Sequence, residues 1–171
     1  GQDDSFNSSD PSRGGYFSGG RHWSETTADD GIAFLREASK REEPFFIHLS
    51  FNAPHDPRQA PEAYLRLYDP EGLPLPETFQ PEYPGGAAIG CRPGLHDERL
   101  APFPRTPEAI RVHRQEYYAL ISLLDAQIGR VLEALELAGL TDSTYILFTS
   151  DNGLSLGAHG LMANRTCMTT A

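Results

Sequence analysis

The run Tyr145-Ile146-Leu147-Phe148-Thr149-Ser150 leads straight into Asp151-Asn152-Gly153, and His159-Gly160 follows a few residues later. A short apolar run bounded by turn formers predicts a buried strand over 144–149. Its C-terminal end delivers a carboxylate and a carboxamide side by side. Oxygen ligands held at a strand end suit a hard divalent cation, Ca²⁺ or else Mg²⁺. In open α/β sheets that edge is where ligands bind. The same three residues equally fit a strand closing in an Asx-Gly turn.

A second run of the same kind, Phe45-Phe46-Ile47-His48-Leu49-Ser50-Phe51, begins after Pro44 and ends in Asn52-Ala53-Pro54-His55-Asp56-Pro57. It also predicts a buried strand. Upstream, Thr26-Thr27-Ala28-Asp29-Asp30 has the hydroxyl caps and early acids of a helix start, and the helix runs to about Lys40. Residues 58–68 predict a short helix. Thr106 before Pro107 is an N-cap and N1 pair for the longest helix, with Gly139 as its C′ residue. Tyr117, Ile121, Leu124, Ile128, Val131, Leu132 and Leu135 form its apolar stripe. Two apolar strands joined by a long amphipathic helix predict a crossover connection and parallel pairing. The fold class is therefore α/β, with a mostly parallel sheet flanked by helices. Between them, residues 69–105 are rich in Pro and Gly and predict a long surface excursion of the kind that often carries function.

The chain has 171 residues, of which 24 are acidic and 14 basic, for a formal charge of -10. A surface this acidic repels phosphate backbones, so nucleic acid is excluded as a partner. An anionic substrate requires a locally positive pocket built by a metal, His or Arg. No apolar run approaches the roughly 18 residues of a membrane span. The two cysteines, Cys91 and Cys167, make no disulfide framework and fit no zinc spacing.

If the two strands are parallel neighbours, His55 shares a sheet edge with Asp151 and Asn152. A metal-binding pair beside an imidazole suits hydrolysis of an anionic ester, with the cation neutralising charge and His protonating the leaving oxygen. Taken alone, His55 reads as a turn histidine between prolines, and His159 as a loop residue between glycines. His48 reads as a packed strand histidine, His22, His96 and His113 as surface groups, and Asp125 as a brace from the long helix to a neighbouring loop.

Several of these stretches together resemble the sulfatase family. They are Phe51-Asn52-Ala53-Pro54-His55-Asp56-Pro57, Tyr118-Ala119-Leu120-Ile121 with Asp125-Ala126-Gln127-Ile128-Gly129, Ser150-Asp151-Asn152-Gly153, and Gly157-Ala158-His159-Gly160. Leu100-Ala101-Pro102-Phe103-Pro104-Arg105-Thr106-Pro107-Glu108 is typical of one bacterial subgroup. The resemblance implies part of an alkaline phosphatase-like sandwich that hydrolyses sulfate esters at a Ca²⁺-dependent formylglycine site. It implies that Asp151 and Asn152 are metal ligands. It implies that His55 contacts the sulfate or protonates the leaving alcohol, and that His159 lines the same pocket. The implied substrate is a sulfated small molecule or glycan, and the implied compartment periplasmic or secreted. A phosphodiesterase or phosphonate monoester hydrolase of the same superfamily, or a non-catalytic truncated remnant, are the alternative outcomes.

The sequence departs from the family pattern at both ends. Ser9-Asp10-Pro11-Ser12-Arg13 matches the formylglycine motif Ser-x-Pro-x-Arg in letters, but Gly14-Gly15 follows it where the family has a helix. Residues 1–24 are thus expected to be a loop or fragment end without the nucleophile, and 25–162 a partial catalytic domain. At the other end Ala163-Asn164-Arg165-Thr166-Cys167-Met168-Thr169-Thr170-Ala171 has no family counterpart. These residues can be written in codons that, with one nucleotide restored in front, read Gly-Lys-Gln-Asn-Met-Tyr-Asp-His-Ser, close to the stretch Gly-Lys-Gln-Asn-Leu-Tyr-Glu-His-Ser usual in the family. Residues 163–171 are accordingly expected to be a frame-shifted tail.

Overall fold

The structure, a computed structural model, describes residues 17–18, 21–56, 58–86, 88 and 97–162. The expected frame-shifted tail, the Ser9–Arg13 match and His96 lie outside these residues. The chain divides into two compact units. One takes in Tyr68–Glu116 and the chain from Thr149 onward; the other takes in the described residues up to Leu67, together with Tyr117–Phe148.

In the second unit, β1 (Phe17–Ser18) pairs antiparallel with β2 (Arg21–His22), and α1 (Trp23–Ala38) follows directly. The helix starts three residues before the expected Thr26, within what was expected to be an irregular leader. The reason is its cap: the backbone N–H of Ser24 donates to Nδ1 of His22 at 3.1 Å. An imidazole nitrogen does the work usually done by a hydroxyl or carboxylate at this position. Burial holds the His22 pKa below its usual value, against the opposing influence of Glu25 and a Gln59 backbone bond, which keeps that nitrogen available as an acceptor.

Ala28, Gly31, Leu35 and Ala38 make the buried face of α1. That face lies on the extended segment 45–51. A Cβ on Gly31 would come within 2.9 Å of Leu49 Cδ1, and Phe34 meets Phe45 edge to face at 5.9 Å. Phe45, Ile47, Leu49 and Phe51 are half-buried in this way, while Phe46, His48 and Ser50 point to solvent. The alternation is that of a strand with one covered face.

Among the described residues the expected parallel pairing of 45–51 with 144–149 does not occur. The only ladder among them is β1–β2, and 45–51 and 145–149 belong to no ladder. Phe46 is 87 % exposed, Leu147 91 % and Tyr145 104 %. The apolar runs do not by themselves foretell burial, because strand partners are non-local and a run carries no information about what covers it.

Helix α2 (Glu62–Leu65) is short, and α3 (Pro107–Leu137) contributes its first turns to one unit and the remainder to the other. The sequence signals at its ends hold: the N–H of Ala109 donates to Thr106 Oγ1 at 3.2 Å, and Gly139 adopts a φ of 69°. The expected stripe is only partly the buried one. Ala119, Leu120, Leu123, Gln127 and Leu135 are buried, whereas Ile121 and Leu132 are exposed. Two arginines clamp the outer side of α1: Arg21 and Arg130 each reach Asp29 at 2.5 Å, and their bonds lower its pKa, Arg130 foremost.

Candidate functional site

Asp151 and Asn152 are exposed. The Asn152 N–H donates to Asp151 Oδ1 at 2.9 Å, and Ser150 Oγ donates to the Asn152 carbonyl at 2.8 Å. The residues therefore form a tight polar turn. Nothing crowds Gly153 within 4 Å of where a side chain would begin. In kind, two solvent-facing oxygen donors fit a hard cation; in number they fall short of its six to eight oxygens. Among the described residues no three His, Cys, Asp or Glu side chains cluster in a way that could hold a metal.

The His159 turn in the same unit is built quite differently. Leu156, Gly157, His159 and Gly160 all have positive φ, at 45°, 91°, 54° and 76°. For a non-glycine residue that conformation is uncommon, and it persists only where surrounding contacts over-determine it. Those contacts are present. The Gly157 N–H donates to Leu161 O at 2.7 Å, Gly160 N–H to Gly157 O at 3.1 Å, and His159 N–H to Thr78 O at 2.9 Å. Ala158 forms a bridge with Phe79. A Cβ on Gly160 would sit 2.9 Å from the Gln80 carbonyl oxygen and 3.0 Å from the Tyr83 nitrogen, so only glycine lets these backbones meet.

Behind the turn lies a buried ion pair that the sequence did not disclose. Arg105 and Glu98 are 2 % and 4 % exposed. Arg105 Nη2 bonds the Glu98 carboxylate, and Nη1 donates to the carbonyls of Glu98 at 2.9 Å and Ala101 at 2.8 Å. Nε donates to Gly160 O at 3.1 Å. The Glu98 carboxylate in turn accepts from the Met162 N–H at 3.2 Å. Burial lowers the Arg105 pKa, and the Glu98 charge and hydrogen bond oppose that. Both residues sit in the Pro/Gly-rich stretch, where no periodicity marks a buried position; a lone Arg between prolines is the only hint.

His55 belongs to the other unit and is exposed. Its Nδ1 lies 2.9 Å from the Asp56 carbonyl. Three residues on, the fully buried Arg58 pairs with Asp56 Oδ1 at 3.0 Å. Tyr117 is pushed up by burial, with Arg58 opposing and Tyr118 and Asp56 adding. Asp151, Asn152 and His159 thus fall in one unit, and His55 in the other.

The remaining histidines correct the sequence expectations. His48 is exposed rather than packed, because the outer face of its segment is bare. His22 and His113 are 1 % and 7 % exposed rather than on the surface, the first as a helix cap and the second on α3 beside Glu116 at 3.8 Å. Asp125 is exposed on α3.

Comparison with known proteins gives one answer. The Sulfatase family model matches residues 3–169, running past Met162. Human iduronate 2-sulfatase is 32 % identical over 145 residues, covering 78 % of this chain and 26 % of the relative. An arylsulfatase of Clostridium perfringens is 32 % identical over 143 residues, covering 81 % of this chain and 28 % of the relative. The crystal structure of the putative sulfatase yidJ from Bacteroides fragilis superposes with a TM-score of 0.62 at 28 % identity, over 85 % of this chain and 28 % of that one. The class this likeness defines is an α/β fold of the alkaline phosphatase-like kind. Within it, this chain belongs to the sulfatase family. It spans about a quarter of the length of the curated relatives it matches.

Proposed function

We propose that the chain carries part of the site of a sulfate-ester hydrolase, with Asp151 and Asn152 as two of the Ca²⁺ ligands. The observation that carries this is the pair of exposed oxygen donors at the end of the extended 144–150 segment, in a chain of the sulfatase family. When bound, the cation supplies charge neutralisation at the sulfate, and a formylglycine hydrate supplies the attacking oxygen. The nucleophile and the other metal ligands come from outside residues 25–162.

His55 faces a carbonyl acceptor with Nδ1, so that nitrogen carries a proton and Nε2 is the atom that meets the ester. Protonated there, it hands a proton to the leaving alcohol. His159, on its fixed turn, lines the sulfate side of the pocket. The bare faces of 45–51 and 144–149 are covered by the remainder of a catalytic domain, in keeping with the quarter of the relatives' length that this chain spans. The substrate class is a sulfated small molecule or glycan, and the compartment periplasmic or extracellular.

The test measures Ca²⁺ binding by calorimetry and turnover of an aryl sulfate and an aryl phosphodiester, with Ca²⁺ or chelator. We expect weak Ca²⁺ binding, about millimolar, lost in Asp151→Ala, and no turnover by this chain alone. Undiminished binding in Asp151→Ala would sink the ligand assignment. Robust turnover of the aryl sulfate would show a complete site, and preference for the phosphodiester would favour the phosphodiesterase chemistry.

A further inference from the structure

We propose that Arg105, held in place by Glu98, is a positioning residue for His159: its guanidinium fixes the left-handed turn on which that imidazole is presented. The proposal rests on the reading of His159 as a pocket residue. Among the described residues the hydrogen bonds of the Arg105 guanidinium go to Gly160 O, to the carbonyls of Glu98, Ala101 and Pro102, and to the Glu98 carboxylate, and the group lies 5.3 Å from the centre of the Phe103 ring. Its backbone N–H also donates to Pro81 O at 2.8 Å.

Three chain segments therefore meet at one residue: 98–105 and 160–162 through the Arg105 side chain, and 80–83 through its backbone N–H. Each also touches the turn independently, through the Gly160 approach to Gln80–Tyr83 and through Met162 N–H on Glu98. His159 sits between these anchors at a φ of 54°. That uncommon conformation persists only where its surroundings over-determine it, and besides the backbone bonds to Thr78 and within the turn, the side-chain bond that fixes the next residue comes from Arg105 Nε to Gly160 O. Lysine cannot replace the fork. It carries a point charge with rotatable donors, and cannot reach a carboxylate and three carbonyl directions while also bonding Gly160.

The experiment compares the full chain with Arg105→Lys and Glu98→Gln, by amide hydrogen exchange and by NMR of the imidazoles, with His159→Asn giving the assignment. In the wild type, the amides of Gly157, Gly160 and Leu161 are expected to be as protected as those of Ala119 and Leu123 in α3. In Arg105→Lys the turn amides exchange about tenfold faster and the His159 resonances move, while α3 is unchanged. A merely structural role would raise exchange uniformly across the chain, and that outcome overturns the proposal. So do unmoved His159 resonances in either folded variant. If Arg105→Lys does not fold, Glu98→Gln is read in its place, because it removes the charge but keeps an oxygen for Met162. If neither folds, unprotected turn amides in the wild type overturn it and protected ones support it. Loss of the Ca²⁺ result described above would remove the catalytic reading and leave these readouts standing, so the two failures are distinguishable.

Discussion

Two regions flank the Asp151–Asn152 pair and could hardly be made more differently. On one side, residues 155–162 form a turn whose polar backbone groups find partners close at hand and whose glycines admit neighbouring backbone at contact distance. On the other, 144–150 is an apolar extended segment with Tyr145 and Leu147 open to solvent. The turn carries three large apolar side chains, Leu156, Leu161 and Met162, and all three are buried. There the apolar side chains are packed and the backbone is closed by hydrogen bonds around Arg105, whereas Tyr145, Leu147 and Phe148 of the other segment stand exposed. Hydropathy ranks what would gain from burial; it does not say what is available to provide it.

Substitutions test that contrast directly. The largest effect is expected from Glu98→Ala, which leaves the Arg105 charge buried and unpaired and should cost about 3–5 kcal/mol in chemical denaturation. An unchanged midpoint would mean the pair is hydrated and the turn not closed. Gly160→Ala follows, at about 2 kcal/mol, since it combines a φ of 76° with a Cβ 2.9 Å from the Gln80 carbonyl. Smallest is Leu147→Ala, expected within about 0.5 kcal/mol of the wild type, because the side chain is 91 % exposed. A loss of several kcal/mol there would show that 144–149 is packed after all, and the contrast between the regions would collapse.

What the sequence made legible divides along the same line. Thr106-Pro107 and Gly139 bracket α3 because caps are local chemistry, settled by a few consecutive residues. The turn around His159 was visible through its glycines. Strand pairing was not, because an apolar run such as 145–148 reports its own preference and not the location of its neighbours. His22 escaped notice as a cap because histidine seldom caps, and Glu98 with Arg105 because an irregular Pro-rich stretch has no period from which burial can be read. Asp151, Asn152 and His55 were singled out by motif; their bond partners and exposure came only from the structure.

The sealed guanidiniums of Arg58 and Arg105 have one more consequence, for proteolysis. Trypsin must swallow a basic side chain whole and straighten the chain around it. Arg66 and Lys40, with side chains 77 % and 66 % exposed, offer themselves at once. Arg58 and Arg105, with none of theirs exposed, are withheld until the surrounding fold has opened. Two potential cut sites beside the candidate histidines are thereby hidden by the same contacts that hold the loops in place.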